Sequence, residues 1–211
     1  MTIVICFGRA TLTKEPQRER PRARSAIVDL AKTAIQALLL FIILSALIGR
    51  FEIHQISMEP NFHEGQRVLV SKLDSVWSSL FVRTAHAADS RRYSPFALQH
   101  GQVVVFFKTP SRNEDALIKR VIGLPGDTVE LRSGAVLING ALINEPYING
   151  AQTFCGNYCQ PFILGPDEYF LMGDNRVNSL DSRSFGPIPA RQLVGRVVLR
   201  YWPLEQIEVY P

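Results

Sequence analysis

The chain has 211 residues, of which 20% are charged and 46% hydrophobic, and its formal net charge is +4. That size holds one folded domain and a short appendage, and the composition excludes an intrinsically disordered chain. The excess positive charge gathers ahead of one apolar run, which makes it a topology signal and argues against a nucleic-acid partner.

Residues 1–25 are read as a basic cytoplasmic segment carrying Arg9, Lys14, Arg18, Arg20, Arg22 and Arg24, with Lys32 just beyond. Glu15, Glu19 and Asp29 offset these only in part. Residues 26–49 are read as a transmembrane anchor. Its run "TAIQALLLFIILSALIG", Thr33 to Gly49, has Gln36 as its only strongly polar residue, and the length suffices to span a bilayer. A cleaved signal peptide would have a shorter apolar stretch and a small-residue cleavage site after it. Arg50, Phe51 and Glu52 follow instead. The charge bias then predicts a single-pass protein, N-terminus inside, with residues 50–211 outside the cytoplasm.

The next stretch, "FEIHQISMEPNF", sets Ser57 between Ile56 and Met58 with Pro60 close behind. Ser57 reads either as a turn residue or as a nucleophile whose base lies elsewhere in the chain. Beyond it, short β-type runs dominate: "QRVLVSKL", "QVVVFFK", "ALIKRVIG", "DTVELRS", "AVLINGALI", "EYFLMG" and "LVGRVVLRYW". Gly, Pro and Asn separate them, with "SG" at Ser133 and "NG" at Asn139 as hairpin turns. The predicted fold class is therefore mainly β, an antiparallel domain over residues 50–211 behind one N-terminal helix.

Residues 73–101 interrupt this pattern and read as a long surface loop. Trp77, Leu80 and Phe81 are unusual there and suit a lipid interface. The "AHAA" that follows looks like a cleavage site, so self-processing with a new N-terminus at Ala88 is a minor expectation. Cys6 is read as a free thiol. Cys155 and Cys159, in "CGNYC", suit a disulfide in an oxidising compartment. A zinc pair is the alternative, but no second pair of Cys or His completes it, so neither metal nor cofactor is expected.

In "ALIKRVIGLPGD", Lys119 stands inside an apolar strand-like run. Most such lysines sit on a solvated face or lay their stems along apolar surface. Here the same chain offers Ser57 with no evident His–Asp partner: none of His54, His63, His86 and His100 has an Asp that stands out as its orienter. A Ser–Lys dyad is chemically coherent. An ammonium cannot accept a proton, and the solution pKa near 10.4 leaves only a trace neutral at pH 7. Desolvation by Leu117, Ile118, Val121 and Ile122 would lower it. The neutral amine would then take the Ser57 proton during attack on a carbonyl. The third stretch, "GDNRVNSLDSRSFG" from Gly173 to Gly186, is alone a polar loop with an Asp181–Arg183 ion pair. Joined with the other two it predicts a support, Ser179 orienting Lys119 while Asp181 and Arg183 hold the loop.

With these residues in view, the chain resembles the bacterial type I signal peptidases, also called leader peptidases. "SMEPN" matches the family's "SMxPT", "KRVIGLPGD" its "KRVxGxPGD", and Gly173–Gly186 its "GDNRxxSxDSRxxG". Three motifs in order behind an anchor are a specific signal. The resemblance implies a cytoplasmic-membrane serine endopeptidase that removes signal peptides from exported preproteins, with Ser57 forming an acyl-enzyme and Lys119 as base. It implies the Ser57 N–H as one oxyanion donor and Ser179 as a contact of the lysine. Phe51, Ile53, Met58, Phe62, Leu117 and Ile118 match the shallow pockets for small side chains at positions −1 and −3 of the substrate. Partners would be preproteins and membrane lipid. A disulfide-closed loop also occurs in some relatives. The chain departs from the pattern at Gln55, where a Ser or Gly is usual and a Ser can help hold the oxyanion. It departs also at Asn61, Gly65–Gln66 and Gly101–Gln102, where altered turns are expected. The alternatives are a specialised Ser/Lys maturation peptidase of a conjugation or pilin system and, in another class, an inactive membrane-tethered binding domain.

Overall fold

The computed structural model describes residues 23–72, 98–111 and 114–210. The expectations for the basic segment up to residue 22, for Cys6, and for Trp77, Leu80, Phe81 and Ala88 lie outside these residues. The chain divides into two compact units, Met1–Ile42 and Ile43–Pro211.

Helix α1 runs Ala23–Leu47. Its 25 residues rise about 37 Å at 1.5 Å each, enough to cross a hydrocarbon core of about 30 Å. Its apolar side chains, Leu30 and Phe41 among them, are exposed. A helix apolar on every side needs either a protein interior or lipid around it. The helix stops two residues short of the expected limit at Gly49. Ile48 and Gly49 instead open strand β1 (Ile48–Glu52), pairing with Ser71 and Val70.

The remaining strands are β2 (Arg67–Ser71), β3 (Val103–Phe106), β4 (Leu117–Gly123), β5 (Thr128–Arg132), β6 (Ala135–Ile138), β7 (Ala141–Leu142), β8 (Phe162–Ile163), β9 (Glu168–Met172), β10 (Ile188–Pro189), β11 (Leu193–Trp202) and β12 (Glu208–Val209). A four-residue helix α2, Ser182–Phe185, precedes β10. The larger sheet has the order β1-β2-β11-β3-β4-β9-β10, with β12 added to β11, and the smaller has the order β7-β6-β5-β8. Every pairing is antiparallel. The predicted β class and all seven predicted runs are present. Of the strands not foreseen, β8, β10 and β12 have two residues each, too few to show a period, and β1 continues the apolar run of the helix.

The "SG" and "NG" turns stand where expected. Ser133–Gly134 joins β5 to β6 and Asn139–Gly140 joins β6 to β7, with positive φ at all four residues. That is the backbone a two-residue turn between twisted strands requires. Alternation along β3 supplies two cores: Val103 and Val105 join one cluster with Ile53, Met58 and Ile118, while Val104 and Phe106 join another with Val121 and Leu171. Strand β4 is the pivot of the sheet, buried from Ile118 through Gly123. No solvated face is left for Lys119, in contrast to the usual lysine in a strand.

Candidate active site

Ser57 lies on a single 3-10 turn, Ile56–Met58, entered from extended Gln55 and left at Glu59. The turn is held from outside: Asn175 N donates to Ser57 O at 3.1 Å, and Asn175 Nδ2 to Ile56 O at 3.3 Å. Strand β4 brings Lys119 to the same place. Lys119 Nζ lies 2.7 Å from Ser57 Oγ and 2.9 Å from the Ile118 carbonyl. Lys119 is 1% exposed and Ser57 4%. Burial pushes the Lys119 pKa from 10.5 down to about 8, against the pull of the Asp181 and Asp174 carboxylates, which raise it. The expected juxtaposition of hydroxyl and dry amine is present.

The loop after β9 supports both groups. Asp181, fully buried, accepts from Gly173 N at 3.0 Å and from Arg183 Nε and Nη2 at 2.9 and 2.8 Å. Burial alone would raise the Asp181 pKa. The hydrogen bonds and charge of Arg183, the Gly173 N–H and the Ser179 hydroxyl outweigh it and hold the carboxyl below its usual range. Arg183 Nη2 also donates to the Arg176 carbonyl at 2.7 Å, so the expected Asp181–Arg183 clamp closes the loop on itself. Gly173 is packed so tightly that a Cβ there would overlap Ser179 Oγ and the Ser57 carbonyl. Ser179 Oγ is therefore close to the dyad, but it makes no hydrogen bond in the described structure, neither to Lys119 nor to any other group. Its influence on Asp181 is one of proximity, without the geometry of a formed bond.

Sequence reasoning passed over the layer behind. Arg120, next to Lys119, donates to Asp174 from Nε at 2.7 Å and from Nη2 at 2.5 Å, and lies 4.1 Å from the centre of the Tyr147 ring. Asn61 bridges Asp174 Oδ2 at 2.8 Å and the Tyr147 carbonyl at 2.7 Å. The departure at Asn61 is thus a tie between the nucleophile turn and the loop, with no altered turn needed to explain it. Arg176 pairs with Glu145 and Thr153. The lysine's two acidic neighbours are therefore each matched by an arginine, as buried charges require.

A cleft of about 560 Å³, counting its open mouth, is lined by Phe51, Ile53, Gln55, Leu117 and Ile118, the last next to Lys119 in β4. Four of the six expected pocket residues are there. Met58 and Phe62 are not: both are fully buried, Phe62 stacked on Tyr210 with ring centres 5.0 Å apart. The cause is the 3-10 turn, which points Met58 inward and returns Phe62 N to the Met58 carbonyl at 2.9 Å.

Cys155 and Cys159 form the expected disulfide, Cα atoms 4.9 Å apart, so neither thiolate is a zinc ligand. The small ring abuts the supporting loop, Asn157 N donating to the Arg183 carbonyl at 2.9 Å. One expectation about histidines needs correction. His100 does have an orienting partner, Asp127 Oδ2 at 2.7 Å, which the sequence hid because 27 residues separate them. Asp127 is also bonded to Leu124 N and Asn139 Nδ2, so the pair belongs to the turn after β4.

The geometry sets a serine hydroxyl against a buried amine, and comparison with known proteins gives it a context. The family model described as signal peptidase, peptidase S26, matches residues 27–202. The chain belongs to that family. Signal peptidase I of Leptolyngbya laminosa is 32% identical over 92% of this chain and 88% of its own length. Signal peptidase I of Bacillus amyloliquefaciens is 30% identical over 90% of this chain and 96% of its own. A crystal structure of a signal peptidase I from Enterococcus faecalis is 34% identical, with 47% of this chain covered and 95% of that one. Its TM-score of 0.38 leaves the fold to rest on the sheets described above. As a member of the S26 signal peptidases the chain is a hydrolase, a serine endopeptidase of signal-peptide processing.

Proposed function

We propose that the protein is a membrane-anchored signal peptidase I that cleaves exported preproteins with a Ser57–Lys119 dyad through an acyl-enzyme. The observation that carries this reading is the 2.7 Å approach of a buried lysine amine to a buried serine hydroxyl. In its neutral form Lys119 Nζ keeps one N–H on the Ile118 carbonyl and turns its lone pair to the Ser57 O–H. The amine takes that proton as Ser57 Oγ attacks the scissile carbonyl. The resulting ammonium returns a proton to the departing amine of the mature protein, leaving an ester on Ser57. A water, deprotonated by the same amine, then hydrolyses the ester and regenerates both groups. The Ser57 N–H would be one donor to the oxyanion, and the amide of Gln55, which lines the cleft, would provide a second.

The substrate lies extended in the cleft. Strand β4 pairs with β3 along Leu117–Arg120, but its pairing with β9 begins only at Arg120. The other edge of Leu117–Lys119 has no strand partner among the described residues, and a substrate strand would add there. Phe51, Ile53, Leu117 and Ile118 form shallow walls that admit small side chains at −1 and −3. Ser179 backs the lysine, and Asp181 and Arg183 fix its loop. Helix α1 anchors the domain in the cytoplasmic membrane, with residues 50–211 on the far side.

Incubation of the full-length protein in detergent with preproteins tests the reading. Wild type should release mature protein and form a Ser57 ester visible by mass spectrometry after acid quench. Lys119→Ala should lose both while keeping its fold. Equal inertness of wild type and Lys119→Ala on varied preproteins would leave a binding domain as the better account.

A further inference from the structure

The walls of the cleft are apolar, but its charge is one-sided. Among the described residues its lining includes two carboxylates, Glu52 and Asp115, besides His54, and no lysine or arginine. Glu52 is matched by Arg67, whose Nε lies 3.0 Å from Glu52 Oε2. Asp115 is exposed and has no ion-pair partner among the described residues. It stands just before β4, four positions from Lys119, about 13 Å along an extended chain. A substrate strand lying against that edge passes Leu117 and Ile118 first and meets Asp115 next. In the reading proposed above, where Leu117 and Ile118 bound the −1 and −3 pockets, the side chain reaching Asp115 belongs to roughly the fourth or fifth residue before the cleaved bond.

We propose that Asp115 is a specificity-determining residue, giving the cleft a preference for preproteins with a basic side chain at that position and a bias against acidic ones. Among the described residues no lysine or arginine lines the cleft to answer the carboxylate. A lysine or arginine of the substrate would approach it while its stem lies along the apolar walls. An acidic residue there would meet like charge. At an exposed site such pairs are weak, so the effect is a graded preference and not an absolute requirement. The inference rests on the peptidase reading and adds to it the chemistry of one substrate position.

The test uses full-length enzyme and a set of preprotein reporters with Lys, Gln or Glu at each of the third to sixth residues before the cleaved bond. The readout is kcat/KM. Wild type should rank Lys above Gln above Glu at the fourth or fifth position only, with roughly three- to tenfold between the extremes. Added salt should compress that ratio. Asp115→Asn should bring the reporters to within about twofold, Asp115→Lys should reverse the order, and Asp115→Glu should keep it. An unchanged ratio in Asp115→Asn overturns the inference, as does the lack of any charge order in wild type. Cleavage of every reporter without charge order overturns this inference alone, whereas cleavage of none by wild type overturns the peptidase reading and this inference with it.

Discussion

Lys119 occupies a position that works against stability and, in the proposed dyad, in favour of chemistry. With its pKa brought down from 10.5 to about 8 by burial, its charged form is disfavoured by about 3 kcal/mol at ~1.4 kcal/mol per pH unit. Two expectations follow with opposite signs. In the proposed dyad the neutral amine is the working form, so kcat/KM should rise with pH along an acid limb whose midpoint lies near 8, as pH–rate profiles would show. For folding, the unfolded chain binds more protons than the native one between about 8 and 10.5, so wild-type stability should climb with pH across that window. Below it the penalty is fully present. Lys119→Met, inactive, should therefore be more stable than wild type by about 1–3 kcal/mol at pH 7 in urea titrations. That advantage should vanish above about pH 10.5. Asp181→Asn removes a charge that raises the lysine's pKa and should move the acid limb below 8. It also leaves Arg183 buried without its partner, which should cost about 3–5 kcal/mol of stability. At this scale Ser57 and Lys119 were legible because each is a rare type inside an apolar run. Asn61, Arg120 and Asp174 were not, since their bonds join positions 54 and 113 residues apart and no local pattern marks them.

Among elements, the nucleophile turn and the loop after β9 are fitted to each other through a residue with no side chain. A Cβ on Gly173 would overlap Ser179 Oγ and the Ser57 carbonyl, and would lie 2.5 Å from Ser179 Cβ. Neither neighbour can yield cheaply, because Ser57 O is fixed by Asn175 N and the loop by Asp181. Gly173→Ala should therefore reduce kcat by at least a hundredfold through misplacement of the dyad by about an ångström. Circular dichroism should show the β structure retained. The strands that could be read in advance were those with a full period or a turn signal, such as β5 and β6 around Ser133–Gly134. Strand β1 was hidden because Ile48 and Gly49 continue the apolar run of the helix without a break, and only their pairing partners, Ser71 and Val70, end it. Met58 and Phe62 were misplaced for a related reason: apolarity near a nucleophile does not distinguish a pocket wall from the core beneath it. The 3-10 turn decides that, and its three residues carry no signature.

For the molecule as a whole, the fold class and the order of its parts were written in composition. The apolar run, the turn-separated β segments and the three motifs are each contiguous. What the sequence withheld was assembly, including which arginine answers which carboxylate. The boundary between anchor and domain has a practical consequence. A truncated protein beginning at Ile48 keeps β1 and its five paired residues. It should stay folded, leave the membrane fraction and still cleave short peptides. One beginning at Ile53 loses the edge strand and the Phe51 wall. It should unfold at lower temperature in calorimetry and lose activity.

Leu47, the last helical residue, accepts a hydrogen bond from Lys72 N at 2.9 Å, and Ser57 follows it by only ten positions. Even a fully stretched leash of that length reaches about 35 Å. Were the helix embedded in lipid, as proposed, the Ser57 hydroxyl would reach only a thin shell of space beside the bilayer. A susceptible bond deep within a finished, departed protein would then be spared by distance alone, whatever its neighbouring side chains.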